Sequence, residues 1–214
     1  MSLFHHDVAA GLTLVVGDPS KSNEQWYGYP TCWTVGDSSV IKDKQFKIGE
    51  QMVMAPNSTF NDASCAAQSI PPRLALQAHS APIDGKFDKD FANMFVSFVS
   101  IHPPTDPPTS TPLTVPFQHG SWNRQPATGY KVVQIPFTRL NNSRYDPVAA
   151  PDTAIGKGYS DILWTQGESS CSSSTCLRPT GIVWHPDSSR MYVGSDGSVG
   201  ELYILYKDGQ AASL

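Results

Sequence analysis

The sequence predicts an almost wholly β protein made of short antiparallel strands. Only 16% of the 214 residues are charged, while 16 glycines and 18 prolines are spread along the chain. This composition is typical of short strands joined by many turns, and it leaves little room for long helices. No window of about eleven residues shows a convincing 3.6-residue apolar period, so the chain is interpreted as almost entirely strand and turn.

The first six candidate strands are short apolar runs, most of them bounded by turn-forming residues. They are Leu12–Val16, Gln51–Met54, Leu74–Gln77, Met94–Phe98, Gly129–Phe137 and Asp161–Trp164. Pro136 is expected to end the fifth of these strands, because proline has no N–H to donate to a neighbouring strand.

The last forty residues predict an antiparallel meander. Strands are expected at Gly181–His185, Arg190–Ser195 and Glu201–Tyr206, and tight turns at Pro186–Ser189 and Asp196–Ser198. Proline fixes φ in the first turn, and aspartate can bond its own backbone there. Three strands joined by two tight turns make up most of one β-propeller blade.

The segment Val99–Gln118 interrupts this pattern directly after a predicted strand. It contains six prolines, no glycine and one charged residue, Asp106. It is not expected to pair in a sheet, because proline lacks an N–H and restricts the residue before it. One interpretation is a Pro-rich surface loop. The other is a retained intron, since twenty codons keep the reading frame, a Val codon begins with the donor bases GT, and a Gln codon can end in the acceptor bases AG.

Charge and hydropathy exclude two classes of partner. Lys and Arg number 15 against 19 Asp and Glu, and they form no basic stripe, so no nucleic-acid partner is expected. The longest apolar runs have about five residues, far below the roughly 20 that cross a bilayer, so no membrane partner is expected. Residues Met1–Gly17 lack the cationic start and the apolar block of a signal peptide.

The four cysteines favour an oxidising compartment. Cys171 and Cys176 flank four small polar residues, which is typical of a tight disulfide loop, and Cys32 with Cys65 would then form a second bond. The alternatives are a metal site, for which no further ligand lies nearby in sequence, and a cytosolic protein with free thiols.

Two glycosylation sequons, at Asn57 and Asn141, add to this prediction. Together with the cysteines they favour a secreted, extracellular glycoprotein. A chain of this kind without a signal peptide indicates that its N-terminal part is missing.

Four stretches, in this order, are similar to one family, the quinoprotein glucose/sorbosone dehydrogenases. The most specific is His-Gly-Ser-Trp-Asn-Arg followed by Gly-Tyr-Lys-Val-Val, and the Trp-Tyr-Gly-Tyr-Pro-Thr-Cys form is most similar to fungal PQQ-dependent pyranose dehydrogenases. The stretches are Trp26–Cys32, Ala78–Pro82, His119–Arg124 with Gly129–Phe137, and Arg178–Val183 with Tyr192–Asp196.

The resemblance implies a six-bladed β-propeller that holds PQQ on Ca²⁺ at one end of its central channel. It implies oxidation of a sugar hydroxyl with hydride transfer to the quinone, and reoxidation by an external electron acceptor. Residues 1–214 are then the C-terminal part of one propeller domain, about three blades of four-stranded antiparallel sheets, with an insert at 99–118. The N-terminal blades would be missing, and with them the general-base histidine, so no catalytic residue or metal ligand is assigned.

Four basic residues in these motifs are the candidate cofactor ligands. PQQ carries three carboxylates, and burying them requires several cations, for which the planar fork of arginine is well suited. Arg124 and Arg178 are therefore expected to contact PQQ, and His79 and His119 to donate to its oxygens or to the sugar. The alternatives are surface arginines and histidines that bond only to turn backbone.

The motifs and the composition are compatible with two functions. The first is a fragment of a PQQ-dependent sugar dehydrogenase, inactive by itself because a partial propeller does not enclose the cofactor. The alternative is a non-catalytic propeller module that binds a glycan or a protein. A catalytic histidine in the missing blades, and cofactor uptake, would distinguish them.

Overall fold

The computed structural model of the chain describes residues 8–12, 26–78, 80–98, 128–141, 144–167, 171, 175–197 and 200–207. The chain divides into two compact units. Unit 1 contains residues 1–78 and 146–158, and unit 2 contains residues 79–145 and 159–214.

Unit 1 is built on a four-stranded antiparallel sheet with the order β3-β2-β1-β4. Its strands are β1 (Val8–Leu12), β2 (Cys32–Val35), β3 (Gln51–Val53) and β4 (Leu74–Leu76). A 3-10 turn at Ser38–Val40 and the short helix α1 (Asp62–Gln68) lie between strands.

Helix α1 begins with a capping box. The Asn61 side chain accepts from the amides of Ala63 and Ser64, and the Ser64 hydroxyl accepts from the Asn61 amide. These bonds satisfy amides that have no partner inside a helix. At seven residues the helix is too short to show a 3.6-residue period, which is why the sequence did not predict it.

Unit 2 contains a three-stranded antiparallel sheet and a five-stranded one, except for the last two residues of β8, which belong to unit 1. The larger sheet has the order β5-β6-β7-β8, and β9 also pairs with β7; the smaller has the order β10-β11-β12. The strands are β5 (Pro82–Phe87), β6 (Asn93–Phe98), β7 (Lys131–Asn141), β8 (Arg144–Pro147), β9 (Ser160–Trp164), β10 (Pro179–Trp184), β11 (Arg190–Ser195) and β12 (Glu201–Tyr206).

The two sheets of unit 2 pack face to face around an apolar core. Alternate residues of the smaller sheet, Ile182, Met191 and Val193, meet Phe95 of β6 and Val132 of β7. Because side chains alternate across a strand, the other face of the smaller sheet points away from this core. That face exposes Val183, Leu202, Ile204 and Tyr206.

The structure confirms the all-β prediction with antiparallel sheets. Strands β11 and β12 have the predicted bounds. For β3, β4, β6, β9 and β10, both the first and the last residue lie within two positions of the predicted ones. The predicted strand Leu12–Val16 meets β1 only at Leu12, and the rest of it lies outside the described residues, as does the segment 99–118. The arrangement of the sheets as propeller blades stays a prediction.

The prediction that Pro136 ends its strand is wrong. β7 continues to Asn141, and Pro136 pairs with Asn93 of β6. The next amide, of Phe137, donates to the Ala92 carbonyl at 2.7 Å, so the nitrogen of Pro136 faces the opposite side of β7. On that side β9 pairs only as far as Gln134, so the missing N–H costs no bond to β9.

Candidate functional site

The candidate site lies at one edge of unit 2, where the ends of four strands meet. In the larger sheet Pro82 of β5 pairs with Phe98 of β6, Phe98 with Lys131 of β7, and Lys131 with Trp164 of β9. The starts of β5 and β7 and the ends of β6 and β9 therefore share this edge, which we call the site edge. The segments that carry the predicted cofactor ligands adjoin these strand ends in sequence.

One hydrogen bond to the end of β9 brings the smaller sheet to the same edge, and two further bonds join the start of β10 to the end of β11. The Leu177 amide donates to Thr165 Oγ1 at 2.9 Å, directly after the end of β9. The Arg178 amide donates to Ser195 Oγ at 3.0 Å, and the Asp196 amide donates to the Arg178 carbonyl at 3.1 Å. The start of β10 and the end of β11 are thereby held beside the larger sheet.

Arg178 is a largely buried cation at this edge. Its side chain is 16% exposed, and its Nε lies 3.1 Å from Oδ1 of Asp196. That N–H is not directed at the oxygen and makes no hydrogen bond within the described part of the chain. A buried donor without a hydrogen bond is costly, so the guanidinium is suited to an additional acceptor.

Lys131 is a second buried cation at the site edge. Its side chain is 11% exposed and its Nζ lies 3.3 Å from the Asp161 carboxylate and 6.0 Å from the ring centre of Tyr159. Lysine is rarely buried unless it is paired. The sequence predicted a strand at Lys131, but the residue was not among the candidate ligands. A single cation inside the apolar run Gly-Tyr-Lys-Val-Val was the signal that could have identified it.

Buried polar groups and left-handed backbone also concentrate at the site edge. Ser80, Ser97 and Thr128 are buried there. Ala81 directly before β5 has φ 36° and Tyr130 directly before β7 has φ 45°, in the region that disfavours side chains. Such residues persist where the surrounding structure holds them, and they cluster at functional sites.

The disulfide Cys171–Cys176 supports this edge from one side. The structure contains this bond, and Cys171 and Cys176 pack against the fully buried ring of Tyr130. The carbonyl of Tyr130 accepts from the Thr165 amide at 3.3 Å. The disulfide, through its packing on Tyr130, therefore stabilises the backbone immediately before Lys131.

Asp84 joins the two sheets of unit 2 a few residues from the site edge. Its Oδ2 accepts from the Ile182 amide of β10 at 2.9 Å, and its Oδ1 accepts from the Gly85 amide at 2.8 Å and from Lys86 Nζ at 2.6 Å. Burial raises the pKa of Asp84, but the bonds from Lys86, Ile182 and Gly85 outweigh it and lower the pKa overall. The ionised carboxylate is thus a structural link between β5 and β10.

Of the four predicted cofactor ligands, Arg178 is described and lies at the site edge. His79, His119 and Arg124 lie outside the described residues. No group of three or more His, Cys, Asp or Glu side chains that could hold a metal occurs among the residues that the structure describes. None of the described helices is long and apolar enough to span a bilayer.

The other predicted modification sites are the second disulfide and the two sequons. The second predicted disulfide, Cys32–Cys65, is present in unit 1 and connects β2 to helix α1. Asn57 is exposed, and its Oδ1 accepts from the amide and the hydroxyl of Thr59, the third residue of the sequon. Asn141 is the exposed last residue of β7.

Comparison with known proteins identifies the class of this fold. The chain is similar to the holo form of the pyranose dehydrogenase PQQ domain from Coprinopsis cinerea, with a TM-score of 0.73 and 33% identity over 89% of this chain and 42% of that one. A calcium structure of a family AA12 protein from Trichoderma reesei, 24% identical, has the same fold with a TM-score of 0.74 over 96% of this chain and 44% of that one. The fold of this chain is therefore similar to that of part of a PQQ domain.

The family follows from the sequence match. The chain belongs to the TrAA12-like family, whose model matches residues 9–208. It is 34% identical over 194 residues to the PQQ-dependent pyranose dehydrogenase of Coprinopsis cinerea, covering 89% of this chain and 24% of that protein. It is 25% identical over 182 residues to the PQQ-dependent sugar dehydrogenase of Hypocrea jecorina, covering 84% of this chain and 34% of that protein. The resemblance predicted from the four motifs is confirmed.

Proposed function

We propose that this chain forms part of a PQQ-dependent sugar dehydrogenase and that its site edge contributes cations to the PQQ site. The observation that carries the proposal is the placement of Arg178 and Lys131, two largely buried cations, at one edge of unit 2. The chain spans 24% of its first curated relative and 42% of the solved PQQ domain, so activity is proposed for the larger protein rather than for this part alone.

The residues present fit an anionic cofactor. Arg178 has a buried N–H without a hydrogen bond, and a carboxylate of PQQ would provide the acceptor. Lys131 would provide a second positive charge, as a point charge rather than a fork. When bound, PQQ supplies the chemistry of an ortho-quinone electron acceptor. His79, His119 and Arg124 remain proposed ligands on the basis of their motifs.

The acidic partners hold these cations in place. Asp196 and Asp161 are 53% and 39% exposed, so solvent screens their charges more strongly than those of Arg178 and Lys131. They orient the cations without neutralising them fully, and the site edge keeps an affinity for carboxylates. The general base, the Ca²⁺ ligands, the sugar and the electron acceptor are not assigned to described residues.

The exposed apolar face of the smaller sheet supports a partner within the same propeller. Val183 of β10, Tyr192 of β11 and Ile204 of β12 form one cross-strand row on this face, and Leu202 and Tyr206 flank it on β12. The four aliphatic and aromatic side chains on this face that are 39% to 67% exposed, Val183, Leu202, Ile204 and Tyr206, are typical of a surface that a partner covers. We propose that further propeller blades cover it.

A secreted glycoprotein is the proposed form of the protein. Two disulfides are stable in an oxidising compartment, and the exposed Asn57 is accessible to glycosylation. Asn141 is the second proposed glycosylation site. Mass shifts after N-glycosidase treatment of the secreted protein would test both positions.

Titration of the complete polypeptide with PQQ tests the proposed cofactor site. We expect Arg178→Ala and Lys131→Met each to weaken PQQ binding by about tenfold to a hundredfold, because each removes a charge-assisted bond. Arg190→Ala, at the opposite end of the smaller sheet, is the control and should bind PQQ as the unchanged protein does. No PQQ binding, or equal binding by all four proteins, would contradict the proposal.

A non-catalytic module that binds a glycan or a protein is the alternative function. Dye reduction by the complete polypeptide with PQQ, Ca²⁺ and a panel of sugars separates it from the dehydrogenase. Cofactor uptake with dye reduction supports the enzyme, while absence of both favours the module.

A further inference from the structure

A groove lies at the end of the larger sheet that is opposite to the site edge. It runs between the β5–β6 turn, the second half of β7 and Tyr145 of β8, and its volume is about 580 Å³. All of these elements belong to unit 2. The groove is thus separated from the candidate cofactor site by the length of the strands.

The groove has an aromatic wall of three lining rings, Phe91, Phe137 and Tyr145, and the ring of Phe87, which is not part of the lining, contacts two of them. Phe137 of β7 packs edge-on against Phe87 of β5, with ring centres 5.0 Å apart. Phe87 contacts Phe91 at 5.4 Å, and Phe91 contacts Tyr145 at 5.2 Å with an angle of 30° between the planes. Phe91 is 45% exposed, so part of this wall faces solvent. An exposed ring that packs on further aromatic rings in a concave surface is typical of a ligand site.

The turn that carries Phe91 is held rigidly by Asp88. The Asp88 carbonyl accepts from the Phe91 amide at 3.2 Å, and its carboxylate accepts from the Ala92 amide and from Asn93 Nδ2, each at 2.8 Å. Phe91 has φ 55°, a left-handed conformation that is unfavourable for a phenylalanine. A strained turn that presents an apolar ring to solvent costs stability, and strain of this kind concentrates at ligand sites.

Polar groups of both charges form the remainder of the groove. Lys89 and Asp90 lie on the turn, and Thr138 and Arg139 lie on β7. Charged groups of both signs give no preference for a strongly anionic ligand, and a purely apolar ligand would make no use of them. Both signs beside a hydroxyl suit a neutral ligand that carries many hydroxyl groups, each able to donate and accept.

Sugar rings combine the two properties that the groove requires. One face of a pyranose ring is lined by C–H groups that can lie on an aromatic ring, while its edge carries hydroxyl groups that bond to carboxylates, guanidinium groups and hydroxyls. We propose that this aromatic groove is a secondary binding site for a neutral oligosaccharide, separate from the PQQ site. The proposal does not rest on the proposed dehydrogenase function.

Binding of two neutral hexasaccharides tests the groove. Cellohexaose and maltohexaose present flat and curved chains, and each is titrated into the purified chain without PQQ by calorimetry and saturation-transfer NMR. We expect at least one of them to bind saturably. Phe91→Gly should weaken this binding by about tenfold, because it removes the central ring of the wall.

The variants are chosen to keep the fold intact. Glycine adopts φ 55° without strain, so Phe91→Gly removes the ring without a backbone penalty. Phe91→Tyr keeps an aromatic ring at this position and should bind as the unchanged chain does. Tyr29→Ala, which removes a 78% exposed tyrosine in unit 1, should also leave binding unchanged. If neither hexasaccharide binds, or if Phe91→Gly binds as tightly as the unchanged chain, the groove is not a saccharide site.

Discussion

Asp84 connects the two sheets of unit 2, and its replacement by asparagine tests the physical account of this unit. Asparagine keeps one carbonyl oxygen for Gly85 and Lys86, but an amide nitrogen then faces the Ile182 N–H. Ile182 is 3% exposed, so water does not readily replace the lost acceptor. Losing a charge-assisted bond to a buried amide costs about 2–3 kcal/mol.

The pH dependence of this loss has a definite sign. The folded-state pKa of Asp84 is lowered, so its contribution to stability is complete above the unfolded-state pKa of about 3.9. That contribution is lost as the pH falls below about 4 and through the folded-state pKa. The unfolding free energies of the unchanged chain and of Asp84→Asn should therefore differ at pH 7 and converge in acid.

Urea unfolding at pH 7 and at lower pH measures this difference, and amide hydrogen exchange at Ile182 locates it. Asp90→Asn is the matched control, because Asp90 is exposed in the neighbouring turn and should change stability by less than about 0.5 kcal/mol. Equal stability of Asp84→Asn and the control at pH 7, or unchanged protection of the Ile182 amide, would refute the reasoning.

Two further predictions concern the covalent and steric constraints. A disulfide that closes a longer loop removes more entropy from the unfolded chain. In urea unfolding, Cys65→Ser, which opens a bond between residues 33 positions apart, should therefore cost about 4 kcal/mol, and Cys176→Ser, which opens a bond of separation 5, about 2 kcal/mol. Equal losses would argue against this account. Gly49→Ala should cost about 2–4 kcal/mol, because its φ is +86° and the new Cβ would lie 2.6 Å from the Pro151 carbonyl oxygen. Gly156→Ala has a similar φ of +80° in open space, so in thermal melts it should lose only about 1 kcal/mol, and a loss equal to that of Gly49→Ala would exclude the steric explanation.

The strands of the meander were predictable because local rules decide them. In the turn between β10 and β11, Asp187 Oδ1 accepts from the Ser189 amide at 2.8 Å, as expected for aspartate in this position. Burial alternates along β11, and this pattern is visible in the residues themselves. Turn chemistry and alternation together fix the bounds of β11 and β12 without tertiary information.

Strand β2 and helix α1 depend on contacts that a local pattern does not contain. Helix α1 has seven residues, and its buried residue is Cys65, which is bonded to Cys32 of β2. The Asp62 carboxylate also accepts from the Val53 amide of β3 at 2.9 Å. These long-range contacts, rather than a periodic apolar face, hold the helix in place.

The composition of the site edge also depends on long-range contacts that the sequence motifs do not show. Motifs identified Arg178, but they did not show that it lies at the edge where β7 begins. That placement follows from the antiparallel order of β5, β6, β7 and β9 and from the bond between Leu177 and Thr165. Lys131 became a candidate only when its burial was known, since a lysine in a strand is usually exposed.

The two ends of the larger sheet present different chemical groups for one physical reason. Between the ends, Val96 and Val133 are buried and their backbone groups are used in pairing, so these residues have little capacity to bind a ligand. At the ends the chain leaves the sheet, and backbone and side chains are held by turns. One end collects buried cations beside left-handed backbone at Ala81 and Tyr130, and the other presents Phe91 on a strained turn. In both places the sheet stabilises a conformation that the local sequence disfavours, which is the condition under which a rigid binding surface can be maintained.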